Sequence, residues 1–64
     1  MNRILKAKII ETYGTQCDFA QAIKTDETII SRIVRNRRTL SPSDQARWAD
    51  ALKTHPEKIF NQDD

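Results

Sequence analysis

Apolar residues along this chain recur at helical rather than alternating intervals. Leu5, Ile9 and Tyr13 follow one another four positions apart, a spacing that lays them along one helical stripe, with Ile4 and Ile10 beside them. Asn2 is placed to cap this first helix, and Gly14, the only glycine, stands where a helix C-terminus needs a left-handed backbone. Thr15 with Asp18 three residues later opens a second helix through a relative of the capping box. Phe19, Ala20 and Ile23 give that helix a short apolar face, which ends near Lys24. After a tight turn Asp26 caps a third helix. Ser41, Pro42 and Asp44 then supply an N-cap, a proline at N1 and an acid at the positive end of the helix dipole. This fourth helix offers Ala46, Trp48, Ala49 and Leu52 to a core. Pro56 opens a last short helix that turns Ile59 and Phe60 back onto the domain, and the polar residues 61–64 are expected to fray.

The pattern predicts one all-α domain over residues 1–64, a compact bundle of about five short helices. Composition agrees, because 38% hydrophobic and 31% charged residues with one Gly and two Pro describe a globular chain short of turn formers. Sixty-four residues leave no room for a second module, and there are no repeats or low-complexity tracts. Cys17 has no second cysteine to pair with, which favours a reducing cytoplasm, and a role as a small space-filler near the start of helix 2. No apolar run approaches the roughly 18 residues of a membrane span, and none resembles a secretory signal. The expectation is a soluble cytoplasmic protein.

Charge changes the picture. The net charge is only +2, yet residues 24–38 carry Lys24, Arg32, Arg35, Arg37 and Arg38 against Asp26 and Glu27, +5 − 2 = +3, leaving −1 for everything else. A local basic patch is the footprint of a nucleic-acid binder, though it also describes an ordinary solvated helix face. The arrangement on helix 3 favours the first. At about 100° per residue, with Ile30 at zero, Ile33 and Val34 fall within roughly 60° of it, while Thr28, Ser31, Arg32 and Arg35 cluster between about 100° and 200°. Ile29 sits on the border between the faces. The outward face holds the donors, acceptors and methyl groups that read base edges in a major groove.

Two short helices joined by a tight turn, the second with an arginine-studded outer face, are what a helix-turn-helix DNA reader requires. Thr15-Gln16-Cys17-Asp18-Phe19-Ala20 resembles the T-Q-x-[ED]-[LF]-A start of helix 2 in the phage Cro and lambda-repressor-like family, also called the XRE family. Ile30-Ser31-Arg32-Ile33 resembles the I-S-R-I core of that family's recognition helix, and Ala51-Leu52-Lys53-Thr54-His55-Pro56-Glu57-Lys58-Ile59-Phe60 is similar to its A-L-G-V-S-P-E-E-L-F ending. The three blocks stand in register over nearly the whole chain. The resemblance implies a lambda-repressor-like fold with the helix-turn-helix in helices 2 and 3. It also implies sequence-specific binding of double-stranded DNA by a Cro-type transcriptional regulator, a repressor in the simplest case. It puts Gln16 on a phosphate with Thr15 near the backbone, Glu27, Thr28 and Arg32 on bases, and Arg35, Asn36, Arg37, Arg38 and Thr39 on phosphates. Ser31, on the same polar face, joins the backbone contacts. The expected partner is a near-palindromic operator bound by a homodimer, with half-sites about one helical turn apart.

The chain departs from the family pattern at two turns. Lys24 stands where the family has glycine between helices 2 and 3; in a left-handed conformation it costs roughly 1 kcal/mol relative to glycine. Asn36 replaces the other glycine, a milder change because Asn tolerates that region. Asp26 and Glu27, at the DNA-facing end of helix 3, complement the helix dipole; alternatively Glu27 accepts from a cytosine amino group. The arginines divide the work in this reading, Arg35, Arg37 and Arg38 holding phosphates while Arg32 points at bases.

Enzyme chemistry is not expected. One His, one Cys and no glycine-rich loop provide neither a nucleophile with a positioned base nor a metal cage, so no cofactor or metal is expected; His55 reads as a capping or packing residue. The competing function is a protein-binding helix-turn-helix module whose basic face meets an acidic partner such as a polymerase subunit, an anti-repressor or a toxin.

Overall fold

Side-chain caps mark the start of four of the five helices. In the computed structural model, which describes residues 1–60, α1 spans Arg3–Tyr13, α2 Gln16–Ala22, α3 Glu27–Val34, α4 Pro42–Ala51 and α5 Pro56–Ile59, with no strand among the described residues. The all-α, five-helix expectation holds. Asn2 Oδ1 accepts from Leu5 N–H at 3.0 Å, Thr15 Oγ1 from Asp18 N–H at 3.0 Å, Asp26 Oδ1 from Thr28 N–H at 2.9 Å and Ser41 Oγ from Asp44 N–H at 3.2 Å. Each bond satisfies an amide that the first turn of a helix leaves without a partner. The expected fraying of residues 61–64 lies outside the described residues.

Helix ends are made by three copies of one device. After α2, Thr25 N–H donates to Ala20 O at 2.8 Å and Lys24 N–H to Gln21 O at 3.3 Å. After α3, Arg37 N–H donates to Arg32 O at 2.9 Å and Asn36 N–H to Ile33 O at 3.1 Å. After α4, Thr54 N–H donates to Ala49 O at 2.9 Å and Lys53 N–H to Asp50 O at 3.1 Å. This paired pattern is the Schellman motif, whose C′ residue must be left-handed. Accordingly Lys24 has φ +57°, Asn36 +61° and Lys53 +57°. A chain with one glycine, spent on the end of α1 at φ +92°, closes α2, α3 and α4 with non-glycine residues in the left-handed region.

The core draws on every helix: Leu5 and Ile9 from α1, Phe19 and Ala20 from α2, Ile30, Ile33 and Val34 from α3, Trp48 and Ala49 from α4, with Leu52 and Ile59. Aromatic rings run through it in sequence. Tyr13 tilts on Phe19 at 5.2 Å between centroids, Phe19 meets Trp48 edge to face at 5.3 Å and 85°, and Trp48 meets Phe60 at 6.3 Å. Such tilted pairs are favoured by the ring quadrupoles. Tyr13 Oη also donates to Ala51 O at 2.9 Å, fastening α1 to the end of α4.

Ile4 and Ile10, beside the stripe of Leu5 and Ile9, are 52% and 44% exposed, because α1 has one buried stripe and they flank it. Some sequence expectations are corrected. Ala46 is exposed for the same reason on α4. Cys17 is no space-filler: it lies on the outer side of α2, roughly 160° round the axis from Phe19. His55 occupies the N-cap position of α5 but makes no capping bond, and its side chain neither caps nor packs. Helix α2 ends at Ala22, slightly before Lys24.

Asn2 does more than cap. Its amide nitrogen Nδ2 donates to the buried Ile59 O at 2.6 Å, and its backbone N–H donates to Val34 O at 2.6 Å. One 7%-exposed polar residue thus ties the start of α1 to the end of α3 and to α5.

Candidate nucleic-acid interface

Helix α3 is held by its apolar side, with α1 and α2 packed against it, and this orients everything on its other side. Ile30, Ile33 and Val34 are buried, and Ile29 is half-buried at the border. Counting about 100° per residue from Glu27, the remaining positions fall in one arc: Ser31 near 40°, Arg35 near 80°, Thr28 near 100° and Arg32 near 140°. These five side chains, together with Gln16 at the start of α2 and Arg37 beyond α3, line one open depression of about 380 Å³.

The second Schellman cap explains why Arg37 belongs to that set. Its backbone N–H is tied back to Arg32 O, so the chain folds under the end of α3. Arg38 and Thr39 then lead away. With Asn36 they line a different and smaller hollow beside Asn2, Ile33, Leu40, Gln45 and Phe60. Thr15 lines neither; its hydroxyl is engaged in capping α2. The structure therefore gathers Gln16, Glu27, Thr28, Ser31, Arg32, Arg35 and Arg37 of the sequence-derived set and separates Asn36, Arg38, Thr39 and Thr15 from them. No residue outside that set lines the main depression.

The depression is cationic and unneutralised. Among the described residues the ion pairs are Lys8–Glu11 at 3.9 Å and Arg47–Asp44 at 3.6 Å, and neither involves Arg32, Arg35, Arg37 or Arg38. All four guanidinium-bearing residues are exposed. Asp26 and Glu27 differ in kind. Asp26 is occupied by the cap to Thr28, whereas Glu27 makes no hydrogen bond or ion pair among the described residues, and it is the only carboxylate on the depression.

Comparison with known proteins adds a family. The profile of a family described as "Protein of unknown function (DUF739)" matches residues 2–62, nearly the full length. The chain belongs to the DUF739 family. That description assigns DUF739 proteins no activity, and it lends no support to the Cro resemblance of the sequence blocks. No curated protein and no solved structure matches this DUF739 chain. No helix among the described residues is long and apolar enough to cross a membrane, and no three of their His, Cys, Asp or Glu side chains gather to hold a metal ion.

Proposed function

We propose that this protein is a sequence-specific binder of double-stranded DNA and a Cro-type transcriptional regulator, acting by repression. In this reading α2 and α3 form a helix-turn-helix and α3 enters the major groove. The observation that carries it is the convergence of Gln16, Thr28, Ser31, Arg32, Arg35 and Arg37 on one open, cationic depression whose arginines have no carboxylate partners among the described residues. An α3 of eight residues is roughly 12 Å long, comparable to the groove's width of about 12 Å. The three sequence blocks similar to the Cro and lambda-repressor-like family support the same assignment.

Roles follow from position. Glu27, Thr28 and Arg32, on the first turn and one turn on, face base edges; Arg32 is suited to bidentate pairing with guanine. Gln16, at the N-terminus of α2, and Ser31, Arg35 and Arg37 contact the phosphate backbone, with Thr15 nearby. Asn36, Arg38 and Thr39 reach the backbone from the far side of the Schellman turn. A single domain with so few contacts binds weakly, so a homodimer on a near-palindromic site is the natural working form.

Selection of bound duplexes from a random-sequence pool at physiological salt tests the proposal. Enrichment of an inverted repeat with half-sites about one turn apart is expected. A folded protein that enriches no sequence would overturn the reading and direct attention to an acidic protein partner on the same face.

A further inference from the structure

The one acid on the cationic depression is unaccounted for by packing or capping. Asp26 supplies the N-cap of α3, and Glu27, beside it, is exposed and unpaired among the described residues although Arg32 and Arg35 share its arc. On a surface that binds by attracting phosphates, such a carboxylate is a penalty for every duplex that does not answer it with a donor. The major groove offers two amino donors, adenine N6 and cytosine N4; adenine's stands beside the N7 acceptor, which repels a carboxylate, so the donor that suits Glu27 is the cytosine N4 amino group. We infer that Glu27 is the specificity filter of this surface, repelling the backbone of unspecific DNA and selecting a half-site in which a cytosine amino group faces it.

This inference rests on the DNA-binding reading and names the substrate more narrowly. Five residues separate Glu27 from Arg32, a rise of roughly 7.5 Å along α3. Base pairs repeat every ~3.4 Å along a strand. With α3 lying along the groove, the cytosine read by Glu27 and the guanine read by Arg32 are about two base pairs apart. Interaction of the carboxylate with a phosphate roughly 7 Å away in water is worth about a threefold change in affinity, and more where the interface excludes water. The loss of a correct base contact is worth between about fivefold and a hundredfold.

The experiment compares the wild-type chain with Glu27→Gln and Glu27→Asp, using random-pool selection and titration of a random-sequence duplex. Glu27→Gln removes the charge while keeping length, whereas Glu27→Asp keeps the charge and the favourable interaction with the N-terminus of α3 but withdraws the carboxylate by one methylene. The expected result is that Glu27→Gln binds the random duplex about threefold or more tightly and loses the cytosine preference. Glu27→Asp, by contrast, also loses that preference but gains no affinity for random DNA. The position relaxed by both lies about two pairs from the one relaxed by Arg32→Ala. A purely structural role at the helix terminus predicts a wild-type site for Glu27→Asp and a lower melting temperature as the main effect of Glu27→Gln; that result overturns the inference and leaves the DNA-binding reading intact. A wild-type protein that selects no sequence overturns both.

Discussion

Lys24 and Lys53 sit at positions made for glycine, and replacing them tests the account of how the helices end. Both occupy the C′ site of a Schellman motif at φ +57°, with each motif's two backbone bonds formed at 2.8 to 3.3 Å. A side chain in the left-handed region costs about 1 to 2 kcal/mol, and glycine gives back part of the gain through its greater freedom in the unfolded chain, roughly 0.5 kcal/mol or more. The net expectation is about 1 kcal/mol of stabilisation for Lys24→Gly and the same for Lys53→Gly. In a domain of this size that amounts to about 4 to 8 °C in Tm for each. The two turns share no hydrogen-bond partner, so the double variant should gain about 2 kcal/mol. Thermal melting followed by circular dichroism measures it. Lys24→Ala and Lys53→Ala separate charge from conformation: they remove the ammonium but keep the Cβ, and they should not stabilise. Asn36→Gly should gain only a few tenths of a kcal/mol, since Asn tolerates the left-handed region. Gly14→Ala provides the reverse case. An added Cβ there meets nothing within 4 Å, so its loss of about 1 kcal/mol would come from the φ of +92° alone. Unchanged or lower melting temperatures for both lysine-to-glycine variants would refute the reasoning.

Three further outcomes follow from the structure. Asn2→Ala removes a cap worth about 1 kcal/mol and strands the buried Ile59 carbonyl at a further 1 to 3 kcal/mol, so its urea midpoint should fall with an unchanged m-value; Asn2→Asp, which keeps the cap acceptor but not the donor, should recover only the first part. Arg37→Ala should weaken binding to all duplexes alike, while Arg32→Ala should relax preference at one base pair by about 1 to 3 kcal/mol; equal effects of both on selected and random DNA would end the proposed division of labour. If roughly four phosphates are neutralised, log affinity should fall with log salt at a slope of about −3.6, close to a hundredfold loss between about 50 and 200 mM, and a flat titration would rule out backbone contacts of that extent.

Local chemistry made the helix boundaries legible. Asn2, Thr15, Asp26 and Ser41 each act within three residues of themselves, so their capping bonds follow from short-range sequence. The buried face of α3 was equally legible, because Ile30, Ile33 and Val34 leave a single consistent direction for the core. The same wheel arithmetic, applied to α2, puts Cys17 opposite Phe19, and its exposure was available to that argument. Lys53 was marked only by standing at the glycine of the A-L-G block it resembles. What no local pattern carries is the long-range placement. Nothing near Asn2 announces Ile59 or Val34 as partners, and nothing in the run Arg35–Thr39 says that Arg37 turns under α3 while Arg38 and Thr39 lead to another hollow.

The Asn2 junction also bears on the order in which the domain assembles. Three of the main packed pairs, α1 with α2, α2 with α3, and α4 with α5, are neighbours in sequence, and α1 with α3 skips only α2, so each forms by closing a short loop. The bond from Asn2 to Ile59 spans 57 positions and is rewarded only once both ends have docked. A bond across that separation is expected to form after the folding transition state. Loosening it should then speed unfolding while leaving the folding rate nearly untouched, so that Asn2 would lengthen the lifetime of the native state more than it hastens its formation.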